Sequence, residues 1–252
     1  MISSHFISFK VPITEELIPS RFTLNDHTPH PLCLLAAEQV QDYLKTQQDW
    51  QHNFGLNPHS KGPVIGKMFG VLVAETPHKE IGFLAAFSGK LADSNTFAYF
   101  VPPIFDLLTE NSFLNIGMKE LTEMTEEIRR LEIDLEELDQ AKIKTLKESR
   151  RNHSIHLQNK IFDQYHLLNC AGVPKSLISI FKEAGYKQPP AGAGECAAPK
   201  LLQYAFQHEL KPLALAEFWW GQSPKSATWK HQNFYMPCKE KCQPILLHML
   251  GN

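Results

Sequence analysis

Apolar residues recur along this chain with two spacings, and these spacings predict both helices and strands. A stripe of apolar positions from Leu32 to Thr46, opened by Pro31, predicts a helix. Two nearly continuous apolar runs, Lys67–Thr76 and Ile81–Ser88, flank a polar turn of four residues. They predict a hairpin whose strands are buried on both faces. A further short extended piece is expected at Phe97–Val101.

The last third of the chain continues this alternation. A helix is predicted over Ser176–Ala184 and another over Cys196–Leu210, followed by a strand at Leu213–Trp220. A short extended piece at 234–236 precedes a final helix, Cys238–Leu250. The chain is therefore expected to have an α/β fold.

The segment 114–170 differs from its surroundings and predicts a helical arm inserted into the α/β domain. Its apolar positions step by three and four residues, as in a heptad seam: Leu121, Met124, Ile128, Leu131, Leu135 and Leu138. Residues 119–139 contain nine acids and three bases, whereas 140–151 contain five bases and one acid. An acidic helix can pair with a basic one within the chain or in a partner. The arm is thus either a solvated helical extension or a coiled coil that forms a homodimer.

Composition, net charge and the lengths of the apolar runs limit the classes of protein to which this chain can belong. The net charge is −2 and 43% of residues are hydrophobic, which is typical of a soluble domain. No apolar run approaches the roughly 18–20 residues that span a bilayer, and Met1–Lys10 lacks the pattern of a secretion signal. We expect a cytoplasmic protein without a membrane segment. Its five cysteines are then thiols, metal ligands or nucleophiles rather than disulfides.

Three of these cysteines occur at predicted helix starts. Cys196 follows Gly194 and Glu195 where a glycine-rich loop enters a helix, and Cys238 and Cys242 open the final helix one turn apart. Three protein ligands plus water is the arrangement of a catalytic zinc site, so zinc is a candidate cofactor. The alternatives are three buried structural thiols or a nucleophilic Cys196.

Other residues extend this candidate site toward RNA. Lys200 lies one helical turn after Cys196 and is a candidate phosphate contact, while Glu217 is the one acid of a buried strand that continues into Trp219 and Trp220. Residues 171–252 carry nine lysines against five glutamates, a charge of +4. Lysines interleaved with aromatic residues favour RNA binding. A basic surface around a tryptophan-filled core is the alternative.

The order helix, two strands, helix, strand, helix is similar to that of the cytidine-deaminase-like fold. Cys196-Ala197-Ala198 and Pro237-Cys238-x-x-x-Cys242 resemble the two zinc motifs of those enzymes. Ala198 stands where a deaminase carries its proton-shuttling glutamate, and the cysteine pair has one extra intervening residue. We therefore expect a deaminase-like scaffold without deaminase chemistry.

A second resemblance concerns RNA modification. The segments Pro189–Ser226 and Phe234–Asn252 resemble the N-terminal extension of long RluA-type pseudouridine synthases, chiefly through Gly-x-Gly-x-Cys-x-x-Pro-Lys and Glu-Phe-Trp-Trp-Gly. The resemblance implies an accessory domain that engages tRNA or ribosomal RNA in a parent isomerase. The His-Arg-Leu-Asp stretch that carries the synthase aspartate is absent from this sequence. In such synthases the catalytic domain would follow just after Asn252, so the chain is expected to be either one domain of a longer synthase or a free-standing relative.

These expectations divide the chain into three parts. Residues 1–113 and 171–252 form the α/β domain, with the candidate site in the second part, and 114–170 form the arm. The predicted function is RNA engagement for a pseudouridine synthase. The alternative is an independent zinc-dependent or cysteine-dependent enzyme that acts on a base or an amide.

Overall fold

A computed structural model describes residues 4–24, 28–110, 112–134, 139–224 and 227–251. The strands are β1 (Ile7–Ser8), β2 (Thr23–Leu24), β3 (Lys67–Glu75), β4 (Ile81–Phe87), β5 (His166–Leu168), β6 (Pro174–Ser176), β7 (Lys211–Trp220) and β8 (Phe234–Tyr235). The helices are α1 (Pro31–Thr46), α2 (Phe113–Asp134), α3 (Asp139–Asp163), α4 (Leu177–Glu183), α5 (Ala197–Gln207) and α6 (Gln243–Leu250). The chain divides into an α/β unit, Met1–Ile104 with Leu167–Asn252, and a helical unit, Phe105–His166.

Strand β3 is the centre of the main sheet. It pairs antiparallel with β4 on one side and with β7 on the other. The sheet order is β1-β4-β3-β7-β2; β2 runs parallel to β7, and β8 also pairs with β7. The predicted hairpin of β3 and β4 is confirmed, and six consecutive residues of each strand are buried, as two covered faces require.

Helices cover both faces of this sheet. On one face, α1 buries Leu32, Ala36 and Val40 in a core that includes Phe69 and Phe218. On the other face, α5 packs on β3, β4 and β7, and α6 packs on α5. Alternate side chains of a strand point to opposite faces, so β7 contributes Phe218 to the first layer and Glu217 to the second. The α/β class is confirmed.

Gly70 permits the close contact between β3 and α5. A Cβ atom at this position would lie 2.9 Å from the Ala197 Cβ and 3.0 Å from a Leu201 methyl. Gly70 is also the sheet partner of Glu217. The absence of a side chain at residue 70 therefore sets how near the start of α5 comes to the acid of β7.

The helical unit is a pair of oppositely charged helices rather than one continuous arm. Helices α2 and α3 pack together and bury Leu121, Ile128 and Leu157. Lys142 Nζ lies 3.5 Å from Glu127 Oε1, and Lys147 Nζ lies 2.7 Å from Glu132 Oε1. The acidic helix thus pairs with the basic one within the chain. The seam positions Leu135 and Leu138 lie outside the described residues, and a homodimer through this arm stays a prediction.

Two element predictions were wrong. Phe97–Val101 is not a strand: Phe97 and Phe100 form an isolated bridge around a turn. The final helix begins at Gln243 rather than at Cys238, because residues 239–242 form a turn.

Among the described residues, no helix combines the length and apolar character that a bilayer crossing requires.

Candidate metal centre

The structure brings together the three cysteines that the sequence singled out. The sulfur atoms of Cys196, Cys238 and Cys242 all lie within 4.8 Å of one another, and Cys238 Sγ is 3.4 Å from Cys242 Sγ. Cys196 is the N-cap residue of α5 and Cys242 is the N-cap residue of α6. Two helix starts from distant parts of the sequence therefore meet at one point.

The loop before α5 holds Cys196 against the end of β4. Gly192 and Gly194 have φ angles of +75° and +90°, a conformation that favours glycine. The amide of Gly89 donates to the Glu195 carbonyl over 3.0 Å, and the amide of Ala197 donates to Ser88 Oγ over 3.2 Å. These two bonds fix the position of the Cys196 backbone on both sides.

Cys238 and Cys242 are joined by a single hydrogen-bonded turn that precedes α6, which begins at Gln243. The Cys242 and Gln243 amides both donate to the Cys238 carbonyl, over 3.1 Å and 3.2 Å. The turn brings the two sulfurs to within 3.4 Å of each other. The extra residue relative to a C-x-x-C pair is accommodated in this turn, so the unusual spacing does not separate the thiols.

The three thiols are close enough to shift one another's pKa. Hydrogen bonds from Cys196 and Cys242 lower the pKa of the Cys238 thiol to about 2. The same contacts with Cys238 raise the pKa of Cys196, and contacts with Cys196 and Cys238 raise that of Cys242. These directions favour Cys238 as the first of the three thiols to lose its proton. A soft divalent cation would bind all three as thiolates and displace the remaining protons.

Glu217 places a carboxylate beside this cluster. Its side chain is only 3% exposed, and its Oε1 accepts a hydrogen bond from the Ala198 amide over 3.0 Å. Burial raises the pKa of Glu217 to about 7, the Ala198 amide lowers it, and the negative charge of Cys238 raises it further. A carboxylate from β7 is thus held at the backbone of residue 198, at the start of α5.

Lys200 and Glu195 form an internal pair rather than a surface contact. Lys200 Nζ lies 3.5 Å from Glu195 Oε2 and donates to the Phe87 carbonyl over 3.2 Å. The lysine side chain is only 2% exposed. The interpretation of Lys200 as a phosphate contact is therefore wrong for this arrangement, because a buried ammonium cannot reach a backbone phosphate. Gly194 is buried as well, in the loop that leads to Cys196.

The two tryptophans of β7 have different surroundings. Trp220 is buried and its ring lies 4.4 Å from that of His231, so it belongs to the core. Trp219 is half-buried on the same face of β7 as Glu217, and its ring stacks on Trp229 with centroids 5.9 Å apart. Tyr235 packs edge-on against Trp229 at 4.6 Å. Only Trp219 of the predicted pair belongs to a partly exposed aromatic group.

An apolar groove opens next to the cluster. It has a volume of about 500 Å³ and includes Cys238, which is partly exposed. Met236 and Leu247, both well exposed, lie along the same groove. The cluster is therefore accessible from one side, whereas Glu217 closes it from the sheet side.

Three supporting residues were missed by sequence reasoning. Ser88 and Gly89 anchor the loop at Glu195–Ala197, and Gly70 lets α5 approach the sheet. A glycine within an otherwise apolar strand is a sequence signal of close backbone approach, and Gly70 carried that signal.

Comparisons with known proteins assign this chain to no family. No protein-family model matches it, and neither the curated proteins nor the solved structures contain a significant match.

Proposed function

We propose that this chain is a zinc-binding module that engages RNA on behalf of an RNA-modifying protein of the RluA type. The observation that carries the proposal is the convergence of three cysteine sulfurs within 4.8 Å. In a tetrahedral site with Zn–S distances of about 2.3 Å, sulfurs lie roughly 3.8 Å apart. The donor set therefore fits Zn²⁺ with little rearrangement, and three ligands leave one position for water or a substrate atom.

The RNA part of the proposal rests on the neighbourhood of this centre. Trp219 extends from the same face of β7 as Glu217 and stacks on Trp229, so an aromatic group lies along the strand that borders the cysteines. Aromatic groups of this kind stack on unpaired bases. The motifs around Cys196 and Trp219 are also those that resemble the extension of RluA-type synthases, whose substrates are tRNA and ribosomal RNA.

A second candidate, a zinc-dependent hydrolase acting on a nucleobase, is favoured by Glu217. Zinc deaminases pair a metal-bound water with a glutamate that is not a ligand. Glu217 meets this description by position, although it comes from a strand and not from the metal helix. The order α1, β3, β4, α5, β7, α6 supports a relation to the cytidine-deaminase-like fold. The apolar groove at Cys238 would admit a base.

Metal analysis combined with RNA binding tests the proposal. We expect purified protein to contain one zinc per chain, Cys238→Ser to lose it, and Cys170→Ser to retain it, because Cys170 is exposed and outside the cluster. Zinc-loaded protein should bind structured RNA with strong salt dependence and without turnover. Equal zinc contents in both variants would contradict the metal centre.

Turnover separates the two candidates. Release of ammonia from a nucleoside or an RNA by the zinc-loaded protein, abolished in Glu217→Gln with zinc retained, would establish the hydrolase and overturn the accessory role. If RNA binds, Glu217→Gln leaves binding unchanged and no base is altered, the accessory role stands.

A further inference from the structure

A second polar site lies at the same end of the sheet as the cysteines. Phe87 pairs with Phe69 and Trp220 pairs with Lys67, so the start of β3 and the ends of β4 and β7 lie at the same end of the sheet. A cleft of about 290 Å³ opens there, lined among others by His52, Lys61, Lys67, Lys90 and Asp93. We refer to these five residues as the lysine cleft.

Lys67 is the unusual member of the lysine cleft. It is half-buried at the start of β3, yet within the described part of the chain no hydrogen bond or ion pair involves its ammonium. Burial lowers the pKa of Lys67, and the positive charge of Lys200 lowers it further. Partial burial disfavours the charged ammonium, although the group keeps some contact with water. An anion in the cleft would stabilise the charged form.

The walls of the cleft are held in place by His52. Its Nε2 donates to the Ile65 carbonyl over 2.8 Å, and its Nδ1 accepts from the Ala92 amide over 3.3 Å. Both ring nitrogens are therefore used in the neutral form, and burial lowers the pKa of His52. Ala92 and Asp93 have φ angles of +46° and +59°, as in the tight turns that reverse a chain within two residues. The cleft is built before any ligand arrives.

We propose that the lysine cleft binds a phosphate group, and specifically a backbone phosphodiester of the RNA. The second part rests on the proposed function. Three lysines line the cleft, and Asp93, which is exposed, is the one carboxylate lining it. The volume is at the lower limit of ligand pockets, so it suits a single phosphate rather than a whole nucleotide. A strand of RNA held there would lie at the same end of the sheet as the cysteines and Trp219.

The first test uses inorganic phosphate on the full chain. Phosphate should raise the Tm relative to sodium chloride of equal ionic strength, because a ligand that binds only the folded state stabilises it. Lys67→Gln should abolish this rise. Lys79→Gln is the matched control, since Lys79 lies in the turn at the far end of β3 and pairs with Glu75. A Tm rise that is the same in both variants, or absent from the wild type, overturns the phosphate site.

Lys67→Gln removes an unpaired charge and should not impair folding. If it does, the exposed Lys90→Gln replaces it and should reduce the phosphate-dependent rise at least twofold. An unchanged rise in Lys90→Gln would then overturn the site.

The second test uses a short fluorescein-labelled oligouridylate and measures Kd against salt. Removing one lysine that neutralises a phosphate should reduce the slope of log Kd against log salt by about 0.7 for a single strand. We expect this reduction in Lys67→Gln and in Lys90→Gln but not in Lys79→Gln. Unchanged slopes with intact RNA binding would overturn the cleft as the RNA-binding site and leave the proposed function standing. Phosphate-dependent stabilisation without RNA binding would support the anion site and contradict the proposed function.

Discussion

Lysines and acids are placed differently in the two units. In the α2–α3 pair, Lys142 and Lys147 meet Glu127 and Glu132 while 36–57% of each side chain stays exposed. At the cysteine end of the sheet, Lys200 and Glu217 are 2% and 3% exposed. An exposed ion pair changes the free energy of unfolding little, because both groups stay hydrated. A buried ionisable group loses its hydration, which lowers the free energy of unfolding unless its partners compensate.

This difference indicates that the functional region is the cysteine end of the sheet rather than the helical unit. The charges of the helical pair are explained by solvation and by the pairing of an acidic helix with a basic one. The buried lysine, the buried acid and the three thiols have no such explanation, because an apolar core of the same volume would be at least as stable. A group of buried polar residues around an accessible thiol cluster is typical of a binding or catalytic site.

The largest effect should come from the buried lysine. Lys200→Ala removes the partner of Glu195 and of the Phe87 carbonyl and empties the space of the lysine stem. We expect a loss of about 3–5 kcal/mol in the free energy of unfolding, measured by urea denaturation. A loss below about 1 kcal/mol would mean that the pair behaves like those of the helical unit.

Glu217 should make the stability of the metal-free protein depend on pH. Its folded pKa of about 7 lies above the ordinary value of 4.5, so the folded state binds more protons between these values. The contribution of Glu217 to stability is then greatest below pH 4.5 and is lost as the pH rises through 7, by up to about 3 kcal/mol. Urea denaturation at several pH values should give a flatter profile for Glu217→Gln. Identical slopes for the two proteins would contradict the shift.

Gly70→Ala should cost about 2 kcal/mol, because its methyl group would lie 2.9 Å from that of Ala197. Moving α5 to relieve the contact would also move Cys196, so zinc affinity should fall. The double variant Gly70→Ala, Ala197→Gly supplies the control, since it restores the space. A double-mutant cycle without coupling would show that the close approach is not what requires glycine.

The smallest effect is expected in the helical unit. Lys147→Ala removes an exposed pair with Glu132 and should change the free energy of unfolding by less than about 1 kcal/mol, with the difference disappearing in high salt. A larger, salt-independent loss would place a buried interaction at this position and weaken the contrast between the units.

Periodicity and turn residues were sufficient to predict the main elements of the fold. Pro31 and the stripe after it predicted α1, and two apolar runs around a polar turn predicted β3 and β4. The extended piece predicted at 97–101 was wrong because these aromatic residues reach the core from a turn. An apolar run in the sequence predicts burial, but it does not distinguish a buried turn from a strand. The start of α6 was placed too early because Pro237 and a four-residue cysteine spacing are as compatible with a turn as with a helix.

The candidate site was predictable in part. The three cysteines could be proposed as a group because glycine and proline mark helix starts, where ligands are often held. The role of Glu217 could not be read from its position, since the Ala198 amide that it contacts belongs to a different element. Lys200 was misjudged for the same reason: helical spacing shows which face a residue occupies, but not that Glu195 and the end of β4 enclose it.

X-ray absorption at the zinc edge, on protein loaded with one equivalent of zinc, tests the metal centre most directly. We predict three sulfur neighbours at about 2.3 Å and one lighter neighbour, oxygen or nitrogen, at about 2.0 Å. Cys196→Ser should reduce the sulfur count to two, and Cys170→Ser should leave it at three. Zinc bound without sulfur neighbours, or a spectrum that Cys196→Ser does not change, would contradict the metal centre.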